Sequence, residues 1–441
     1  MPIIKQNELK SNYPVVVIGG GQAGLSMSYY LQQNKVEHIV IEKKQAMNAW
    51  NEKRWDSFTL VTPNWQCQLP GHHYSGRDPN GFMKKQQILD YLAAFAKKVD
   101  APMITNTEVK LISGDYQSGY SIEMCIDDLN NIVISAEQIV IASGSYPTPV
   151  IPEMAKKIPS HIQQIHSEEY KNASQLEEGS VLVVGSGQSG TQIAEDLHIA
   201  GRKVFLATGD SPRCARFYRG KDVVEWLDNM EYYKMPVEQH PLREGVRDNS
   251  NHYVTGRDGG RDIDLRHFAE QGMELYGLIN DYDNGQLCFT PNLEKNLDLA
   301  DQTYNNINKK IDDFIENNQI DAPSGDLYQP TWRPKTEREH INLESSGITS
   351  IIWCIGFKPN FNWINIPIFN EHGYPQHQRG VTEYKGVYFV GLPWLYTWGS
   401  ARFSGIAKDT EYISSVINAV AEYDGNQFES PFDCDHVSIV L

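Results

Sequence analysis

The 441-residue sequence predicts an α/β fold built on two dinucleotide-binding units. Two observations predict it. The runs PVVVIGGGQAGLSMSYYL (14–31) and SVLVVGSGQSGTQIAEDL (180–197) share one pattern: a β-branched stretch, three glycines, then apolar residues at helical spacing. That is strand, tight turn and helix, the opening of a βαβ unit. In addition, three other apolar runs end in glycine: IVIASG (139–144), ITSIIWCIG (348–356) and GVYFVG (386–391).

In the first unit the glycines are Gly19, Gly21 and Gly24, with Gln22 and Ala23 between them. The first glycine allows the turn, the second lets the backbone approach a pyrophosphate, and the third lets helix and strand pack closely. The helix N-terminus then offers N–H groups and partial positive charge to phosphates. The next strand, HIVIE, ends at Glu42, 18 residues after Gly24. A carboxylate there accepts ribose hydroxyls and repels a 2′-phosphate, so this site suits FAD or NAD.

The second unit repeats the glycines as Gly185, Gly187 and Gly190, with Ser186, Gln188 and Ser189 interleaved. Its second strand, KVFLAT, ends at Thr208 instead of a carboxylate, with Arg213 and Arg216 following. Arginine pairs bidentately with a 2′-phosphate, which favours NADPH. Asp210 leaves NADH open, and a solvated loop is the other reading of the two arginines. A last helix is expected after Ser404-Gly405, with Ile406, Tyr412, Ile413, Val416, Ile417 and Val420 as its apolar stripe. Its N-terminus, at Gly405, can stabilise negative charge. Residues 215–342 are polar and loop-rich, and read as an insertion.

Composition narrows the function. Lys and Arg number 39 against 56 Asp and Glu, a net charge of −17. Such a surface repels phosphate backbones and anionic membranes, so no nucleic-acid partner is expected. No run approaches the ~20 apolar residues that span a bilayer, and MPIIKQNELK carries no secretory signal. A soluble, cytoplasmic protein is expected. The cysteines, Cys67, Cys125, Cys214, Cys288, Cys354 and Cys434, form no CxxC pair, so neither a dithiol centre nor a zinc ribbon has its signature. His72 and His73 are adjacent and lack spaced partners, so no metal is expected.

The two fingerprints, the IASGSYPTPVIP connector, WCIGFKP and YFVGLPWL together resemble the class B flavoprotein monooxygenases, and more closely the bacterial flavoproteins labelled as potassium-transport oxidoreductases. The resemblance implies two Rossmann-like domains. An FAD domain is made of residues 1–165 and 346–441. An NADPH domain, 166–345, is inserted into it and carries the 215–342 insertion. The family's linker motif is half present: His166 and Tyr170 match, whereas Ser160 and Ile162 stand where Phe and Gly are expected.

By the same resemblance Lys43, Trp50, Arg54, Thr62, Val109, Ser143, Gly144, Gly391 and Leu392 join the FAD site, and Asn64 is the candidate catalytic residue at the oxygen site. A turn residue after Pro63 is the other reading of Asn64. Trp394, Tyr396 and Trp398 either wall the flavin or belong to the core. The implied activity is insertion of one atom of O2 into a small organic substrate through a C4a-(hydro)peroxyflavin, at the expense of NADPH. An oxidase or diaphorase with the same cofactors, and a non-catalytic redox sensor, are the alternatives.

Overall fold

A computed structural model describes residues 4–144 and 147–422, so Cys434 lies outside the described residues. The first unit is one mixed sheet. Its strands are β1 (Asn12–Ile18), β2 (His38–Ile41), β3 (Met103–Ile104), β4 (Thr107–Asp115), β5 (Gly119–Ile126) and β6 (Asn130–Ile141). Strand β6 pairs in parallel with β1, which pairs with β2 and then β3, while β4 and β5 add an antiparallel ribbon.

The second unit is a five-stranded parallel sheet. It contains β7 (Gln163–His166), β8 (Ser180–Val184), β9 (Val204–Ala207), β10 (Glu274–Tyr276) and β11 (Ile348–Trp353), in the order β7-β11-β8-β9-β10. The chain then returns to the first sheet with β12 (His377–Gln378), β13 (Val381–Thr382) and β14 (Val387–Phe389), the last parallel to β6.

Continuous apolar runs form these strands because both sheet faces are covered. In β1, Val15 and Val17 enter one core while Val16 and Ile18 enter the opposite one. In β8, Val181 and Val183 face one side and Leu182 and Val184 the other. Helix α1 (Gln22–Gln33), α2 (Lys85–Val99) and α5 (Ile406–Glu422) cover the first sheet. Helix α5 begins where the apolar stripe places it, with Ile406, Ile413, Ile417 and Val420 buried. Helix α3 (Gln188–Ile199) covers the second sheet.

Sheet membership moves the expected boundaries. Strands β7 and β11 both lie in the second sheet, so the crossings fall between 141 and 163 and between 353 and 377, not at 165/166 and 345/346. The 215–342 segment is not wholly an insertion either, because β10 pairs with β9 inside the sheet. It carries α4 (Leu293–Asn317), whose buried face includes Leu293, Leu297, Ala300, Asp301, Tyr304, Ile311 and Ile315 at helical spacing. Polar residues between those positions obscure the stripe. Among the described residues, no helix is long and apolar enough to cross a membrane.

Candidate functional site

The two glycine turns are built alike. Gly19 and Gly185 have φ of +111° and +104°, the left-handed region that a side chain disfavours. A Cβ on Gly24 would lie 1.8 Å from the Gly19 carbonyl oxygen, and one on Gly190 would lie 1.8 Å from that of Gly185. Both contacts are impossible, so glycine is required for each helix to sit on its strand. Gly21 and Gly187 cap α1 and α3. The space beside Gly21 is open, as a backbone that receives a phosphate needs.

Glu42 stands at the end of β2 as expected. Its carboxylate accepts the Gly20 N–H at 2.5 Å and the Lys44 N–H at 2.8 Å. Lys43 pairs with Glu108 at 2.8 Å, and Val109 is half-buried on β4. Trp50 donates its indole N–H to Gln22 at 2.9 Å, and Gln22 donates to the Ala401 carbonyl at 2.8 Å. Phe403 stacks on Trp50 at 5.0 Å, with the Arg54 guanidinium also 5.0 Å from the Trp50 ring. These contacts bring the α1 turn, the Trp50 segment and the start of α5 together. Gly405 must be glycine, since a Cβ there would lie 2.5 Å from the Gly399 backbone. Gly391, at φ +79°, packs against Ala23.

A cleft of about 1730 Å³ separates the units. From the first unit it is lined by Arg54, Ser143, Gly144 and Leu392, and from the second by Gly185, Ser186, Gly187, Gln188 and Ser189. Sequence reasoning missed Phe58, Val61, Arg247, Leu278 and Arg402, which also line it. Leu278 is half exposed and lines the cleft, and no local pattern marks such a residue. Trp394 lines the cleft too, with left-handed φ of +51° and its ring packed on Tyr232 and His240. The Arg247 side chain donates to the Trp394 carbonyl at 3.2 Å. Trp398 packs on Tyr233 at 4.3 Å, so residues of the 215–342 segment cover the tail of the first unit.

Three expectations are corrected. Arg213 does not face the second nucleotide site. Its side chain is 2% exposed, bonds Asp301 through Nε at 2.9 Å, and lies between Tyr304 and Tyr328. Arg216, 1% exposed, pairs with Asp222 and reaches the Val61 carbonyl of the first unit. Neither lines the cleft, because each guanidinium is drawn to a buried carboxylate elsewhere, Asp301 for Arg213 and Asp222 for Arg216. Asn64 is likewise committed. Its amide donates to the Asp78 carbonyl at 2.9 Å and accepts the Met83 N–H at 2.7 Å, fastening the 78–83 loop. Thr208 spends its hydroxyl on the Tyr276 carbonyl at 2.8 Å.

His166 ends β7, 3.1 Å from the Gly356 carbonyl, and burial pushes its pKa down. Tyr170 donates to Asp196 at 2.7 Å. Burial pushes the Cys67 and Cys214 thiols up to about 12, which suppresses thiolate chemistry at both.

Asp409, in the first turn of α5, is buried beside Ser400, Arg379 and Lys408, and burial raises its carboxyl to about 6. The folded state therefore favours the protonated form, and that contribution to stability is lost as pH rises from about 4 through 6. Asp409→Asn should match the wild type near pH 4 and exceed it above pH 7 by about 3 kcal/mol, since one pKa unit is ~1.4 kcal/mol. Thermal unfolding at the two pH values checks this; equal offsets at both would contradict it.

Comparison with known proteins agrees with this architecture. A family model described as pyridine nucleotide-disulphide oxidoreductase matches residues 16–255. An uncharacterized CzcO-like oxidoreductase of Geobacillus kaustophilus is 33% identical over 410 residues, 92% of this chain and 98% of that protein. The probable indole-3-pyruvate monooxygenase YUCCA10 of Arabidopsis thaliana is 31% identical over 188 residues, 42% of this chain and 48% of its own. Among solved structures, the flavin-containing monooxygenase from Stenotrophomonas maltophilia superposes with TM-score 0.62 at 18% identity, covering 93% of this chain and 100% of that one. The bacillithiol disulfide reductase from Bacillus cereus superposes with TM-score 0.58 at 14% identity, covering 92% and 99%. At such identities the likeness is one of fold. The full-length match to the CzcO-like protein and the family match over more than half the sequence place this chain in the pyridine nucleotide-disulphide oxidoreductase family, as a CzcO-like oxidoreductase.

Proposed function

We propose that the chain is an FAD-containing, NADPH-consuming monooxygenase that places one atom of O2 in a small organic substrate. The observation that carries this reading is a cleft of about 1730 Å³ walled by both nucleotide units. FAD held by the first unit and NADPH held by the second would meet across it. Bound there, the pair supplies hydride transfer and oxygen activation.

This chain's residues fit the two groups. The open backbone at Gly21 and the α1 N-terminus suit the FAD pyrophosphate, and Glu42 suits its ribose. The α5 N-terminus, fixed by the Gly399–Gly405 contact, favours negative charge on the flavin ring. The α3 turn repeats the phosphate cradle for NADPH. Trp394, Phe58 and Val61 put apolar surface on the cleft and limit water there. The solved flavin monooxygenase of the same fold supports the reading. The high thiol pKa at Cys67 and Cys214 weighs against a disulfide reductase.

Glu42→Ala should weaken FAD binding about tenfold or more, because a charge-assisted hydrogen bond contributes ~1.5–3 kcal/mol. Flavin fluorescence titration measures it, and unchanged affinity would remove Glu42 from the site. The activity itself is tested with 18O2. The FAD-loaded protein is given NADPH and a panel of amines, sulfides and 2-oxo acids, and hydrogen peroxide is measured beside product. One 18O atom in a product, with peroxide falling in step, supports the proposal. Peroxide equal to NADPH consumed under every condition overturns it in favour of an oxidase.

A further inference from the structure

Arg216 belongs to the second unit's segment, yet it acts on the first. Its Nη1 donates to the Val61 carbonyl at 2.7 Å, and its guanidinium lies 4.7 Å from the Phe82 ring. The backbone around it is fitted as closely. A Cβ on Gly256 would lie 2.0 Å from the Leu60 carbonyl oxygen, and one on Gly260 would lie 2.7 Å from Phe82 and 2.9 Å from Arg216. Two glycines thus let the 256–260 loop press against residues 60 and 82 while one arginine grips residue 61. On the other side, Leu60 donates its N–H to Met83 at 2.9 Å, and Asn64 holds Met83 and Asp78. Segment 60–64 is held from both directions, and Val61 lines the cleft.

The arrangement is a poor device for stability alone. Arg216 pairs with buried Asp222, whose carboxyl burial raises. The Arg216 Nε and the Asp222 Oδ2 are buried without a hydrogen-bond partner. Desolvating such a pair offsets most of its attraction, and orphaned polar atoms cost more. What the pair does achieve is a fixed direction for one guanidinium N–H.

We propose that Arg216 is a positioning residue. It docks the second unit on the Leu60–Pro63 segment and so sets the separation of the two cleft walls, the gap that hydride must cross. The inference rests on the function proposed above. With both cofactors bound, hydride transfer from NADPH to FAD would need reacting atoms about 3–3.5 Å apart, and a shift of an ångström would cost roughly 10²-fold.

Arg216→Gln, Arg216→Lys and Gly256→Ala test it in the full chain. The rate at which NADPH bleaches bound FAD without oxygen is measured, with amide exchange of peptide 58–64 in the FAD-free and FAD-loaded protein. Arg216→Gln and Gly256→Ala should keep FAD, hold half-saturating NADPH within about threefold, bleach roughly 10²-fold more slowly and exchange faster at 58–64. Arg216→Lys should recover part of the rate and of the protection. Wild-type bleaching and wild-type exchange in both Arg216→Gln and Gly256→Ala would overturn the proposal. If Arg216→Gln does not fold, because it strands Asp222, Gly256→Ala and the paired Arg216→Met/Asp222→Leu decide it on the same readouts. If NADPH fails to bleach the wild type, the functional reading falls, and the exchange comparison still decides whether Arg216 docks the units.

Discussion

Gly190→Ala should yield a protein that still binds FAD but is no longer reduced efficiently by NADPH. The added methyl would lie 1.8 Å from the Gly185 carbonyl oxygen and 2.8 Å from its carbon, with the Cys354 Cβ at 3.2 Å. Overlap with rigid backbone has no local remedy. Either α3 lifts from β8 or the Gly185 turn opens, and both displace the N-terminus proposed to cradle the NADPH pyrophosphate. Half-saturating NADPH should rise at least about tenfold, equivalent to ~1.4 kcal/mol. FAD content should stay at the wild-type level, because β8 and α3 belong to the second sheet and the site proposed for FAD to the first. Gly24→Ala is the mirror experiment: its methyl would meet the Gly19 carbonyl at the same 1.8 Å, and the protein should purify without flavin. Absorbance at purification and NADPH titration measure both. Normal NADPH dependence in Gly190→Ala would show that the second turn binds no dinucleotide.

The largest loss of stability should come from Asp301→Ala. Asp301 on α4 accepts Arg213 Nε at 2.9 Å and Arg266 Nε at 2.8 Å, and both arginine side chains are at most 2% exposed. Arg266 also donates to the Trp332 carbonyl and to Asp298. One carboxylate therefore compensates two buried guanidiniums and joins three segments. Removing one partner of a buried ion pair costs about 3–5 kcal/mol, because the remaining charge is left without compensation. The thermal midpoint should fall on the order of 10 °C. Asp298→Ala, which touches the exposed edge of the same network, should cost far less, since its carboxylate is 46% exposed. A loss below about 1 kcal/mol for Asp301→Ala would mean that Arg213 and Arg266 find other partners.

The parts of this protein legible in its sequence are those decided by neighbours along the chain. The two turns could be read because strand, glycines and helix lie within a dozen or so residues, and the steric need for Gly24 and Gly190 arises inside each turn. Glu42 was legible because a strand of known length sets where a carboxylate ends up. The start of α5 followed from a stripe with helical period. The crossing points between the sheets were not legible because β7 and β11 join the second sheet through pairings that no local pattern announces.

The long polar side chains were decided by tertiary structure. Arg213 takes Asp301, 88 residues away, and Arg216 takes Val61, 155 residues away. Nothing near either arginine distinguishes a phosphate ligand from a buried ion pair, because the guanidinium is equally suited to both. Asn64 followed the same rule, as its amide was captured by the 78–83 loop. The sequence by itself determined the two strand–glycine–helix turns, since backbone sterics act over a few residues. Only the folded chain determined which charged groups face the cleft, since a buried charge goes wherever its counter-charge and hydrogen-bond partners come together in space.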